Sequence, residues 1–512
     1  MWPKSLSEIA HILASSPPTQ SPHPSTPAAT TLVHSLSTDS RKVSLGELFF
    51  AIRGETHDGH QFVEAALQKG AAAAVVESRW LESNPQWAGR CMPVKNTTDA
   101  LRQLGKAFRS DFPFPVFAIG GSNGKTTTKE MLSCLLGAKG NLVTRTFKSE
   151  NGFLGLAITL TNPNHKKSAP PKALVAEIGI DEVGAMSEHV AIAQPDVALL
   201  TALGPEHLAG LGSWNTAVEE ELLLFRQSPA QCRRVWQLSE PRLAAVAEEL
   251  REGDVVVIDE IDPPRLDRNA LELIGSHKVG KLSFRMLEQR ATHSRLQARW
   301  CPQAGISPQN EWTSEITVPL PGIHNARNFA LALATAALTG AQKNDLESAW
   351  SDFVPPEMRS RIVQLVGETT LYDDCYNASP ASMDAAFDAL LASEWKSKHK
   401  VLILGDMLDL GTESKSWHLG LIPKLLKIEN SDLCLFGTAM YDVYTEIKIN
   451  HSDELQSGKI QLRHAGPNEN PAQFLTELGD RLRGSVVLVK GSRGMDLGRF
   501  VKSCEVWSSA QG

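Results

Sequence analysis

Apolar positions along the chain fall into short solid runs separated by amphipathic stretches, the pattern of strands buried on both faces alternating with helices. Runs at 116–119, 173–178, 196–201 and 254–258 predict strands, with helices over 125–137 and 215–226 among them. A second series follows, with strands at 369–373, 401–404, 432–436 and 485–489 and helices near 382–392, 415–428, 439–447 and 471–482. Between the two series, residues 294–320 alternate polar and apolar, which predicts an antiparallel ribbon at a sheet edge. Pro321-Gly322-Ile323-His324-Asn325 then opens an Ala/Leu-rich helix to about Leu338. Ahead of the first series come an amphipathic helix, a Pro/Ser/Thr-rich stretch at 15–31 that predicts a flexible insertion, short strands alternating with an Ala-rich helix, and a connecting helix over 96–108.

One junction in this pattern carries chemistry. The strand at 116–119 breaks into Gly120-Gly121-Ser122-Asn123-Gly124 and resumes as a helix at Lys125-Thr126-Thr127-Thr128. Glycines let backbone N–H groups approach an anion, the helix turns its positive end toward it, Lys125 can neutralise the outer phosphates, and a Thr hydroxyl can ligate Mg²⁺. The spacing departs from the common phosphate loop, because Ile119 stands where that loop has its first glycine; GxxGKTT remains, on Gly121, Gly124, Lys125, Thr126 and Thr127.

The fold class that follows is α/β with three domains. A small α/β N-terminal domain spans 1–112, a central P-loop-type domain with a mostly parallel sheet spans 113–355, and a Rossmann-like C-terminal domain spans 356–512. The stiff stretch Asp111-Phe112-Pro113-Phe114-Pro115 and the pair Pro355-Pro356 mark the linkers. A length of 512 residues with 42% apolar content supplies cores for all three. A net charge of −7 without a basic block argues against nucleic acid as the main partner. Seven cysteines without CxxC pairing fit reduced, mostly buried thiols, and the start of the chain lacks the pattern of a secretory signal, so the expected address is cytoplasmic.

Ligands for a nucleotide-bound Mg²⁺ belong at the C-terminal ends of strands beside the cradle. Glu177 ends the run ALVAE, and His207 follows the strand at 196–201 after a Gly-Pro loop. In the third domain Asp373-Asp374-Cys375-Tyr376-Asn377 follows one strand, and Gly405-Asp406-Met407-Leu408-Asp409 follows the next. Lys490-Gly491-Ser492-Arg493-Gly494 closes the last as an anion receptor. Thr38-Asp39-Ser40-Arg41 and His57-Asp58-Gly59-His60 are polar turns that, taken alone, fit capping as well as binding.

These residues together resemble the Mur ligase family almost end to end. The marks are TDSR with GELFFAIRGETHDGHQF, GSNGKTTTKEM, AEIG, GPEHL, PGIHNARN, DDCYNASPASM, LGDMLDLG and LVKGSRG. The resemblance implies an ATP- and Mg²⁺-dependent amide ligase of peptidoglycan precursor synthesis. It would add D-alanyl-D-alanine to UDP-N-acetylmuramoyl-tripeptide through an acyl phosphate, as a monomer acting on small molecules. By position, Ser40 and Arg41 would meet the UDP end of the substrate. Ser122, Asn123, Lys125 and Thr127 would face the phosphates, with Thr126, Glu177 and His207 around Mg²⁺ and Asn325 and Asn328 toward the adenine. Arg359, Asp374, Tyr376 and Asn377 would face the nucleotide from the C-terminal domain. Asn151, Asp406, Lys490, Ser492 and Arg493 would contact substrate.

Two positions depart from the pattern. Where the family has a lysine that becomes carbamylated, this chain has Glu221, and where an Asn follows the strand before the His, it has Ala202. Glu221 is either part of a solvated Glu219-Glu220-Glu221 face or a permanent carboxylate in the site. A ligase of the folylpolyglutamate type, or a nucleotide-binding protein without turnover, are the competing expectations.

Overall fold

The computed structural model describes residues 2–15, 28–54, 57–146, 152–162, 171–303, 311–392, 394–466 and 469–511. Most of the 15–31 insertion and the candidate Asn151 lie outside these residues; of the insertion, Ala28–Thr30 forms one 3-10 turn. Three main sheets organise the chain.

The central sheet has nine strands, and its order begins at Trp312–Val318, Ser294–Cys301, Gly280–Gln289 and Val255–Asp259. It continues through Arg233–Gln237, Val197–Leu200, Val116–Gly120 and Ala173–Glu177 to Val143–Arg145. Pairing is parallel from Gly280–Gln289 to Val143–Arg145, and the three strands at the other edge form the antiparallel ribbon. Successive side chains of one strand enter different cores, as the pleat requires. Val116 and Ala118 face helices Ala185–Ala193 and Trp214–Arg226, while Phe117 and Ile119 face Lys125–Leu136 and Ile323–Leu338. Burial on both sides is why these strands read as solid apolar runs.

The C-terminal sheet has six strands in the order Arg361–Gln364, Thr370–Asp373, Val486–Lys490, Lys400–Gly405, Ser431–Phe436 and Ile460–Ala465, parallel except for the first pair. Its two end strands were not expected, because RIVQ and IQLRHA are half polar, as edge positions permit. The expected helix over 415–428 is two short helices, Ser414–Leu419 and Ile422–Leu425; the ladder breaks where Leu421 N bonds His418 O three residues back and Pro423 has no N–H to give.

The N-terminal sheet is four parallel strands, Leu36–Ser37, Leu48–Phe50, Ala73–Glu77 and Cys91–Val94. The alanine run there enters a buried strand, and the helix beside it is Val63–Gln68. Helix Phe153–Thr161, from the central segment, packs on Thr97–Ser110 and brings Leu154, Ala157 and Ile158 into the N-terminal core. Asn162 secures it, its amide oxygen accepting from Trp2 Nε1 and Leu36 N, both at 3.2 Å. All seven cysteines are free, and no helix among the described residues is long and apolar enough to cross a membrane.

Candidate functional site

The C-terminal edge of the central sheet faces the C-terminal edge of the third domain's sheet across a cleft of about 490 Å³. The glycine loop forms one wall. Gly121 has φ +110° and Gly124 φ +91°; a Cβ at Gly124 would stand 2.5 Å from Asn328 Oδ1, so both positions need glycine. The loop is strapped to the next strand by backbone, with Ser122 N and Asn123 N donating to Ala202 O at 2.9 and 3.2 Å. Ala202 therefore serves the site through its carbonyl, whatever its side chain. Ser122 Oγ donates to Gly204 O at 2.8 Å and accepts from Gly204 N at 2.9 Å.

Helix Lys125–Leu136 starts directly after Gly124, with no side-chain cap. The Lys125 ammonium donates to Gly121 O and, at 3.0 Å, to Ser122 O, and it stands 3.6 Å from Glu206. At the next position, Thr126 Oγ1 lies 2.8 and 2.9 Å from the two carboxylate oxygens of Glu177. The buried Lys129 ammonium pairs with the same carboxylate at 3.0 Å, a contact the sequence did not single out. Oxygen donors of this kind fit Mg²⁺, which prefers carboxylate, hydroxyl, phosphate and water. His207 lines the same cleft, yet among the described residues no three His, Cys, Asp or Glu side chains converge as a metal set.

Glu221 does not belong to a solvated face. Glu219 is exposed and pairs with Arg226 at 2.7 Å, whereas Glu220 and Glu221 are buried. Glu221 accepts the Gly121 N–H at 2.7 Å from behind the loop. Burial, the largest influence, pushes its carboxyl up to about 7 against the opposing pull of Lys125 and the Gly121 N–H.

Asn325 and Asn328 both line the cleft. Asn325 Nδ2 is engaged by Pro321 O at 2.8 Å and His324 Nε2 at 3.0 Å, and Asn328 packs against Gly124. Burial holds the His324 imidazole down at about 4, hence neutral.

The opposite wall is built from charges. Lys490 pairs with Asp374 at 2.6 Å and donates to Asn377 O at 3.2 Å. The Tyr376 ring lies under two guanidinium groups, Arg359 at 4.1 Å and Arg493 at 5.6 Å from its centroid. Ser492 Oγ accepts from Leu408 N at 2.9 Å. The walls already touch: Ser379 Oγ donates to Asn123 Oδ1 at 2.7 Å, Asn377 Nδ2 donates to Glu206 at 2.9 Å, and His207 is 4.0 Å from Asp409. His207 and Asp409 both adopt left-handed backbone, φ +53° and +64°, uncommon for residues with side chains.

Three expected site residues do not reach this cleft. Asp406 is spent as a cap, accepting from Ala439 N at 3.2 Å and Met440 N at 2.8 Å at the start of helix Thr438–Asn450. Ser40 and Arg41 lie on the N-terminal domain outside the cleft lining. There Arg41 is exposed and pairs with Asp39 at 2.9 Å, holding that carboxyl down to about 2. The second polar turn is structural: Asp58 caps the 3-10 turn Gly59–Phe62, and the buried His60 bridges Asp58 and Glu77 N.

Three family models match in succession: the Mur ligase family catalytic domain over 32–109, the Mur ligase middle domain over 119–336, and the Mur ligase glutamate ligase domain over 358–493. Among curated relatives, the UDP-N-acetylmuramoyl-tripeptide–D-alanyl-D-alanine ligase of Bacillus subtilis is 29% identical over 484 residues, covering 92% of this chain and 93% of the relative. That of Buchnera aphidicola subsp. Baizongia pistaciae is 31% identical over 392 residues, covering 75% and 76%. Among solved structures, MurF from Acinetobacter baumannii superposes with a TM-score of 0.74 at 23% identity over 99% of both chains. MurF from Thermotoga maritima in complex with ADP gives 0.67 at 23%, over 93% of this chain and 98% of that one. At those identities the structural likeness establishes the three-domain α/β fold.

Proposed function

The chain belongs to the Mur ligase family, and from that premise we propose that it joins D-alanyl-D-alanine to UDP-N-acetylmuramoyl-tripeptide with consumption of ATP. What carries the proposal is a single cleft in which Lys125, Thr126 and Glu177 face Asp374, Tyr376, Lys490 and Arg493. One wall suits a polyphosphate, and the other suits a partner bearing a carboxylate.

In this scheme the tripeptide carboxylate attacks the γ-phosphorus of ATP, an O–P bond forms, the β–γ bridge breaks and ADP leaves. The dipeptide amine then attacks the acyl carbon, loses a proton and forms the amide as phosphate departs. Backbone N–H groups of the glycine loop and the Lys125 ammonium would stabilise charge on the transferring phosphoryl group. Drawing Lys125 onto the phosphates exchanges its bonds to Gly121 O and Ser122 O for stronger charge-assisted ones. Thr126 and Glu177 would hold Mg²⁺, with His207 nearby; when bound, the ion supplies charge neutralisation on the phosphate oxygens. Glu221 would set the loop by accepting from the Gly121 N–H, at the departure from the family pattern. Ser40 and Arg41 would meet the UDP end on the N-terminal domain, and Asn325 would support the nucleotide base through the Pro321 turn. Contact of the two walls would exclude water from the acyl phosphate.

The test is phosphate release on mixing ATP, Mg²⁺, UDP-N-acetylmuramoyl-tripeptide and D-alanyl-D-alanine. Release that needs all four components supports the ligase; binding of nucleotide without release refutes it. Lys125→Ala should lower kcat by about 10²–10³-fold or more with the fold intact by circular dichroism; turnover retained in that variant removes Lys125 from its role.

A further inference from the structure

Glu206 has no part in the scheme above, and the sequence pointed past it to the histidine that follows. It lines the cleft, its side chain is 15% exposed, and its oxygens reach both domains, with His207 Nε2 also 3.8 Å from Oε1. Oε1 accepts from Asn377 Nδ2 of the C-terminal domain at 2.9 Å. Oε2 is 3.6 Å from the Lys125 ammonium and has no hydrogen-bond partner among the described residues. The contact on the Asn377 side continues, since Asn377 O accepts from Lys490, which pairs with Asp374. An unbroken series therefore runs across the cleft: Lys125, Glu206, Asn377, Lys490, Asp374. Its charges alternate around a neutral amide, so each contact is strengthened when the next is in place.

We propose that Glu206 is a positioning residue that ties the phosphate-binding lysine to the C-terminal domain, so that placing Lys125 and docking that domain are one event. The proposal rests on the ligase assignment of this cleft for its kinetic consequence, but not for its structural one. A part-buried carboxylate with one oxygen lacking a hydrogen-bond partner is costly unless it is compensated, and the nearby ammonium supplies the compensation. When Lys125 moves onto a polyphosphate, Glu206 keeps its bond to Asn377 and the domains stay engaged. If the C-terminal domain swings away, Glu206 loses Asn377 and holds Lys125 back from the phosphates more strongly.

A double-mutant cycle tests this in the full chain, read two ways. Glu206→Ala and Asn377→Ala are each expected to lower kcat at least about fivefold, with ADP affinity weakened by no more than about twofold, and the double variant is expected to be no worse than Glu206→Ala alone. Glu206→Gln, which can still accept from Asn377, should keep docking and lose only the share due to the lysine pair. Docking is read by hydrogen–deuterium exchange of the nucleotide-free protein at 202–209 and 377–382. Both alanine variants should raise exchange in both segments, while Glu206→Gln should not. Additive effects in the cycle, exchange raised only in the mutated segment, or turnover within twofold of wild type in Glu206→Ala would each overturn the proposal. Should the wild-type protein release no phosphate from the four-component mixture, the ligase assignment fails, and the exchange cycle still decides the role of Glu206.

Discussion

The two walls of the cleft are built on different principles. The central wall is a backbone construction, in which Ala202 O, Gly204 and the Gly121 N–H fix the glycine loop and most of the side chains involved bond to main chain. The C-terminal wall is a side-chain construction, in which Asp374, Lys490, Tyr376, Arg359 and Arg493 hold one another by charge and by stacking. Backbone geometry suits a ligand group that never varies, such as a polyphosphate, because it does not rely on rotamers. Charged side chains can be redrawn one at a time, which would suit a wall that discriminates among ligands.

On that contrast, the C-terminal wall should fail through its charges. Lys490→Ala leaves the Asp374 carboxylate without its cation, held among the described residues only by the Ser360 N–H at 2.9 Å, and we expect a loss of about 3 kcal/mol in the stability of the C-terminal domain by chemical denaturation; a loss under 1 kcal/mol would mean the pair is dispensable. Tyr376→Ala removes the ring that spaces two guanidinium groups, and KM for one substrate should rise about 5–10-fold at nearly constant kcat, as expected for a contact worth about 1 kcal/mol. Asp406→Ala serves as the contrast within the same domain. It uncaps helix Thr438–Asn450 and should cost about 1 kcal/mol of stability while every KM stays put, and a changed KM would return Asp406 to the site.

The smallest effect probes the central wall. Burial raises Glu221 from its ordinary 4.5 to about 7. Between those values the folded protein keeps a proton that the unfolded chain has released, so this group costs stability increasingly as pH rises, with the full cost present above about 7. Glu221→Gln lacks that slope and can still accept from Gly121 N–H. Its melting temperature relative to wild type should rise by roughly 2–4 °C from pH 4.5 to 7.5, and a flat difference would show that the carboxyl titrates as an ordinary one.

Much of this is legible in the sequence alone. The solid runs at 116–119 and 196–201 read as strands because both faces are buried, and the glycine loop read as a cradle because strand, glycines, Lys125 and helix all agree there. What the sequence leaves open shares a cause: the role depends on direction rather than residue type. Glu219, Glu220 and Glu221 are identical letters, and only the helix rotation sends two of them inward. Asp406 sits at a strand end, where ligands gather, yet helix Thr438–Asn450 starts within its reach and takes both its oxygens. Ala202 looked like a loss because its contribution is a carbonyl, which no substitution alters. Lys129 and Glu206 stand inside motifs beside residues with plainer roles, and nothing short of their partners distinguishes them from surface charges.

Helix Phe153–Thr161 has a consequence for how the polypeptide comes into being. Leu101, Leu104 and Phe108 are covered in part by Leu154, Ala157 and Ile158, and Asn162 closes the seam on Trp2 and Leu36. On the ribosome, a nascent chain that has emerged only as far as the Pro113–Pro115 linker would show an oily stripe with no cover until some fifty more residues follow. The first unit is thus completed by the second, and a recombinant fragment cut at the linker would be expected to clump, where one extended past Asn162 would carry its own lid.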